Sequence, residues 1–101
     1  MRLYIDDIRT PKNDRWKVVR SYTDALIYMS KVGCPNYISF DHDLGEGKTG
    51  YDITKWMVEN DIEYPGWIPE EFHFNVHSAN PVGKKNIESL LTNYLRHREV
   101  A

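Results

Sequence analysis

Apolar residues in this chain follow two rhythms: short continuous runs, and longer stretches where they recur every three or four positions. The runs are rich in β-branched and aromatic side chains and predict strands at Arg2 to Ile5, Trp16 to Val19, Tyr37 to Phe40 and Phe72 to Val76. The longer rhythm predicts three helices. In the first, Tyr22, Ala25, Leu26 and Met29 share a face behind Ser21 and Asp24, a pair like a capping box, and Gly33 ends the helix. Ile53, Trp56 and Met57 mark the second, which should end near Glu59 or Asn60. The third opens with Asn80 as N-cap and Pro81 in the first helical position, and carries the stripe Ile87, Leu90, Leu91, Tyr94 and Leu95. Arg96, His97 and Arg98 close it, where cations suit the helix dipole.

Residues 9–15 are polar and proline-marked, too short for a crossover helix. Strand two is therefore either reached by an abbreviated connection or not parallel to strand one. The glycine-rich stretch Leu44 to Gly50 reads as a mobile loop, and Asp61 to Glu71, with Pro65, Gly66 and Pro69, as a long surface connection. The order strand, strand, helix, strand, helix, strand, helix predicts a small α/β unit with a mostly parallel sheet of about four strands.

At 101 residues the chain has material for one hydrophobic core, so residues 1–101 read as one domain with one surface cleft. An apolar share of 41% lies above compositions that stay disordered. The 13 basic and 15 acidic residues leave a net charge of −2. That balance offers no broad cationic face to duplex nucleic acid, though a phosphorylated nucleotide or an RNA end remains open as a ligand. Cys34, the only cysteine, excludes an intrachain disulfide and fits a reducing compartment. No apolar stretch approaches the roughly 20 residues of a membrane span, and the N-terminus lacks the apolar core of a signal peptide. A soluble cytoplasmic protein without a membrane partner is expected.

Asp6-Asp7 directly follow strand one, and Asp41-His42-Asp43 follow strand three. If those strands are parallel neighbours, their carboxylates and an imidazole meet at the sheet edge where such sheets bind ligands. Asp-Asp alone reads better as the start of a turn; the second cluster reverses that preference. Gathered carboxylates need a neutralising cation, and their hard oxygens favour a divalent metal, Mg2+ or else Mn2+, which in turn attracts phosphate. Asp6, Asp7 and Asp41 are the expected ligands. Along an extended backbone Asp41 and Asp43 would face one site with His42 turned away, whereas a turn beginning at Asp41 would free His42 for proton transfer. His77-Ser78-Ala79-Asn80 leads into the N-terminus of the last helix, where unpaired N–H groups attract anions. Phosphate resting there would have His77 as general acid or base and Ser78 as a hydrogen-bond donor. No nucleophile-elbow pattern surrounds Ser78. His73 and His97 read as packing or surface residues, Lys84 and Lys85 as solvated, and Trp16, Trp56 and Trp67 as core aromatics.

Four blocks, Ile5-Asp6-Asp7 with Arg9-Thr10-Pro11, Phe40-Asp41-His42-Asp43-Leu44-Gly45, Thr49-Gly50-Tyr51-Asp52 and His77-Ser78-Ala79-Asn80-Pro81-Val82-Gly83, together resemble the cyclic-phosphate processing receiver-like domain. That family is similar to response-regulator receivers. The resemblance implies a small flavodoxin-like or receiver-like three-layer fold, truncated relative to a full receiver, and activity on cyclic phosphates of RNA ends or nucleotides. It implies Asp6 and Asp7 as the acidic metal pair, Asp41 at the phosphoacceptor position, and Ser78, with Arg9, Asn80 and Gly83, on the substrate side. His42, Asp43, His77 and Asn80 resemble the group's own additions. The pattern lacks a fifth strand with the lysine a receiver uses, which speaks against signalling through a stable phosphoaspartate.

The expected function is metal-dependent hydrolysis of a cyclic phosphate, with His42 and His77 moving protons and Asp43 orienting a histidine or joining the metal shell. The alternative is a non-catalytic module that binds or sequesters a phosphorylated nucleotide or a partner protein. A phosphorylatable signalling receiver ranks last.

Overall fold

Four short strands, β1 (Arg2–Ile5), β2 (Trp16–Val19), β3 (Tyr37–Phe40) and β4 (His73–Val76), pair side by side in the order β2-β1-β3-β4, and every pairing is parallel. The computed structural model describes residues 1–45 and 47–100; Glu46, in the glycine-rich loop, and Ala101 lie outside the described residues. Strand two is thus reached by the abbreviated connection: residues 6–15 carry the chain to β2 without a helix. Arg20 fastens that loop, donating to the carbonyls of Asp6 and Arg9 and to the hydroxyl of Thr10.

Three helices follow the pattern of apolar positions: α1 (Tyr22–Val32), α2 (Gly50–Glu63) and α3 (Pro81–Val100). Ser21 caps α1 by accepting the Asp24 N–H at 3.0 Å, and Gly33, at φ 88°, ends it. The full capping box lies at α2, where Thr49 and Asp52 each accept the other's backbone N–H. At α3 the Asn80 side chain accepts the Gly83 N–H at 3.0 Å.

Alternation along the strands sends Leu3, Ile5, Val19, Ile38, Phe40 and Val76 to one face. There they merge with Ala25 and Met29 of α1, Ile53 and Met57 of α2, and Ile87 and Leu91 of α3 into one core. The steps β2 to β3 and β3 to β4 run the same way across the sheet, so right-handed crossovers put α1 and α2 on the same side. Only the step from β1 to β2 runs the other way, and it has no helix. The α/β receiver-like architecture is as the sequence implies, but among the described residues it is two layers deep rather than three. Trp16 accordingly sits on the other face with Tyr4 and Tyr37, not in the core as expected. Trp56 and Trp67 do pack against the core, edge to face at 5.4 Å.

The second helix outruns its expected end, and the connection after it is not all surface. Asp61, 2% exposed, accepts the Ile68 N–H at 2.8 Å on one oxygen, and the Tyr94 hydroxyl at 2.6 Å and Arg98 Nη1 at 3.1 Å on the other. Arg98 also donates to the Ile68 carbonyl, so this buried clamp pins the connection to α3. Burial and the Asp61 carboxylate push the Tyr94 phenol up to about 12. No helix among the described residues is long and apolar enough to cross a membrane.

Candidate active site

Because β1 and β3 are neighbours, their C-terminal ends set Asp6 beside Asp41. The ladder continues one residue past the strands: the Asp41 N–H donates to the Ile5 carbonyl at 2.8 Å and the His77 N–H to that of Phe40 at 2.9 Å. Asp6, Asp7 and Asp41 each offer a carboxylate oxygen within 4.8 Å of the other two. Asp6 and Asp41 are buried and Asp7 half-buried. The loop after β3 closes over Asp7 at Gly45, whose φ of 88° suits glycine and whose Cβ, if present, would lie 3.2 Å from Asp7 Oδ2.

Burial alone would raise the Asp6 carboxyl, but hydrogen bonds and charge outweigh it and hold the group below the ordinary value. Its Oδ1 accepts the N–H groups of Ile8 and Arg9 at 2.9 and 2.8 Å. Its Oδ2 meets His77 Nε2 at 2.9 Å and Arg9 Nε at 3.0 Å. Asp41 moves the opposite way: burial and the negative charge of Asp6 raise it, against the smaller effects of the Ser78 hydroxyl and Arg9. The Arg9 guanidinium, half exposed, reaches toward Asp41 at 3.6 Å as well as Asp6, and donates to the His77 carbonyl. One guanidinium against three carboxylates leaves net negative charge.

The donor set fits a hard divalent cation: three convergent carboxylate oxygens, two of them on buried residues, with charge to spare. Arg9 lies against two of these carboxylates, at Asp6 Oδ2 and toward Asp41. Its exposure leaves it room to swing away.

The two histidines are held differently. His77 stacks on Tyr4 at 4.5 Å, and its Nδ1 lies 2.7 Å from Ser39 Oγ, which also meets Asn75 Nδ2 at 3.2 Å. An ionised Asp6 requires a hydrogen on Nε2, so neutral His77 accepts the Ser39 hydroxyl at Nδ1 and both nitrogens are engaged. His42 instead pairs through Nδ1 with Asp43 at 3.0 Å, and Asp43 accepts from Asn80 Nδ2 at 3.4 Å. With Nδ1–H given to Asp43, Nε2 is the basic atom. The ring lies against Gly83, where a Cβ would fall 2.2 Å from His42 Cγ.

Of the two conformations open to Asp41-His42-Asp43, extended or turned, the structure has the turn. Asp41 joins Asp6 and Asp7, while Asp43 turns to His42 and Asn80 and so orients a histidine rather than joining the acidic trio. The chain bends at His42: the Gly50 N–H donates to the His42 carbonyl, and Gly50 packs so close that a Cβ would lie 2.1 Å from the Asp41 carbonyl oxygen. Ser78 stands beside Asp41 and accepts the Asn80 N–H at 3.1 Å. Arg9 meets the carboxylates of Asp6 and Asp41 and is half exposed, and Lys84 and Lys85 are exposed. Ser39, Tyr4, Asn75 and Arg20 also support the site, and a serine inside the apolar run of β3 is the one signal of this in the sequence. Burial pushes the Cys34 thiol up to about 12, which removes it as a nucleophile.

Compared with curated proteins and with solved structures, the chain has no match. Residues 1–93 match the family model described as the cyclic-phosphate processing Receiver domain. That match spans nearly all of the sequence and contains the acidic trio, both site histidines and the turn into α3, so the chain belongs to the cyclic-phosphate processing receiver domain family.

Proposed function

We propose that this protein hydrolyses a cyclic phosphate carried by an RNA end or a nucleotide, with a divalent cation, Mg2+ or Mn2+, held by Asp6, Asp7 and Asp41. The observation that carries this reading is the convergence of three carboxylates within 4.8 Å, two of them buried and one with a raised pKa. The cation, when bound, supplies Lewis-acid neutralisation of the phosphoryl oxygens. His77, tied at both nitrogens, holds the Asp6 carboxylate in its orientation and is a positioning residue. Arg9, once off Asp6, has a guanidinium suited to phosphate oxygens. Ser78 and the start of α3 face the same edge and suit an anion.

Proton transfer falls to His42. Its Nε2 takes a proton from water as the water oxygen bonds to phosphorus, the bond from phosphorus to one ribose oxygen opens, and the imidazolium returns the proton to that leaving oxygen. Water is thereby added across one phosphoester bond. Asp43 fixes the tautomer and supports the imidazolium. The single cysteine and the magnesium-type site fit a reducing cytoplasm.

The binder alternative draws on the saturation of Asp6 by Arg9 and His77. Incubating the protein with a 2′,3′-cyclic nucleotide, with Mg2+ or with chelator, and separating the products separates the two. A phosphomonoester formed only with metal supports hydrolysis; tight binding with the nucleotide recovered unchanged supports the binder.

A further inference from the structure

The face of the sheet turned away from the helices carries a continuous row of aromatic rings. Tyr37 meets Trp16 edge to face at 5.1 Å, Trp16 meets Tyr4 at 5.8 Å, and Tyr4 stacks on His77 at 4.5 Å. The row therefore runs from the N-terminal edge of the sheet to the acidic edge. The guanidinium of Arg2 stands 5.7 Å from both the Trp16 and Tyr37 rings. Tyr4, Trp16 and Tyr37 are partly exposed, and none belongs to the core cluster or packs against it. In a chain with 15 acidic residues, no carboxylate occupies a strand position on this face, which instead adds exposed His73 to Arg2.

We propose that this open face is a base-stacking platform for single-stranded RNA, laying its bases along Tyr37, Trp16 and Tyr4 so that its terminal phosphate arrives at the acidic edge. Aromatic planes stack on any base, and a guanidinium without neighbouring carboxylates tolerates a polyanion. Rings and a guanidinium also serve protein interfaces. What favours RNA here is that no carboxylate holds a strand position on the face and that its ring row ends at the acidic edge; a second copy of the chain is an outcome of the test. Several rings in a row exceed what one nucleotide needs, so the substrate class becomes an RNA end rather than a free cyclic mononucleotide. This inference rests on the reading of the acidic edge as the phosphate site.

The test is fluorescence anisotropy with a labelled, mixed-sequence single-stranded RNA ending in a plain 3′ hydroxyl, so that no reaction is needed to see binding. Wild type should bind it with a shallow salt dependence and ignore the duplex form. Trp16→Ala should weaken binding about tenfold, Trp16→Phe should largely keep it, and turnover of a cyclic mononucleotide should be the same in all three. Thermal unfolding of each variant shows that the fold survives, and Tyr37→Ala serves as the second variant should Trp16→Ala not fold. Binding that persists without any turnover would leave the platform standing and remove the proposed hydrolysis. Absence of RNA binding by wild type, unchanged binding in the variants, or a wild-type dimer that Trp16→Ala dissociates would overturn the platform.

Discussion

Nε2 of His77 lies 2.9 Å from Oδ2 of Asp6, joining residues 71 apart in sequence across the top of β3. An ionised Asp6 needs a proton on that nitrogen, and Ser39 engages the other. In the proposed reaction this relationship makes His77 a support for a carboxylate and leaves the proton transfer to His42, paired with Asp43.

Replacement of the two histidines should therefore separate two effects. His42→Gln is expected to lower turnover by about 100-fold or more with cation affinity unchanged. His77→Ala is expected to weaken Mn2+ binding about tenfold, and His77→Gln, whose amide can still donate to Asp6, to recover part of it. Manganese titrations followed by electron spin resonance, with steady-state rates beside them, read both. Equal loss of cation affinity in the His42 and His77 variants would contradict the division of roles.

The guanidinium of Arg9 occupies Asp6 Oδ2 and approaches Asp41. Arg9→Gln should tighten cation binding several-fold while lowering the stability of the cation-free protein, because the trio loses its internal counter-charge. Calorimetric titration with Mg2+ and thermal unfolding in chelator check this. Weaker cation binding in the variant would show that Arg9 assists the ion rather than competing with it.

Asp6 and Asp41 make opposite predictions about pH. The Asp6 carboxyl, lowered from 3.8, contributes stability that is present above that value and lost as pH falls through its folded pKa. The Asp41 carboxyl, raised from 3.8, contributes stability that is complete below that value and lost as pH rises through its folded pKa. Above its folded pKa, ionised Asp41 is thus a cost. Asp41→Asn should raise the unfolding midpoint in chelator at neutral pH, converge with wild type in acid, and bind no metal. A lower midpoint at neutral pH would show that the Asp41 charge stabilises the fold.

Much of this was legible in the residues. Short apolar runs ending in Asp6 and Asp41 gave strands and edge together, because parallel neighbouring strands carry their next residues to the same end of the sheet. The layering was not legible, since a missing helix between β1 and β2 shows only as a short polar loop, and which face it uncovers depends on the direction of the crossover. Trp16 was misplaced for that reason. Asp61 was hidden by the prolines beyond it, although its spacing from Ile53 and Met57 puts it on the buried face of α2. The sequence left an extended strand and a turn both open at Asp41-His42-Asp43, and the close approach of Gly50, a tertiary contact, goes with the turn that parts Asp41 from Asp43.

The buried clamp of Asp61, Tyr94, Arg98 and Ile68 should matter for folding alone. Asp61→Ala leaves Arg98 without its carboxylate and the Ile68 N–H without an acceptor, and should cost about 3 kcal/mol in urea unfolding. Turnover by the fraction still folded should be unaffected. A loss well below about 1 kcal/mol would mean that water replaces the carboxylate freely.

The most direct measurement of the proposed reaction is the phosphorus spectrum of a 2′,3′-cyclic nucleotide, or of an RNA bearing that end, incubated with Mg2+ and the protein in oxygen-18-labelled water. Hydrolysis at the acidic edge predicts a phosphomonoester resonance carrying the isotope shift in wild type, and none with Asp41→Asn or with chelator. A cyclic resonance that persists across both substrates while the ligand is bound would contradict it.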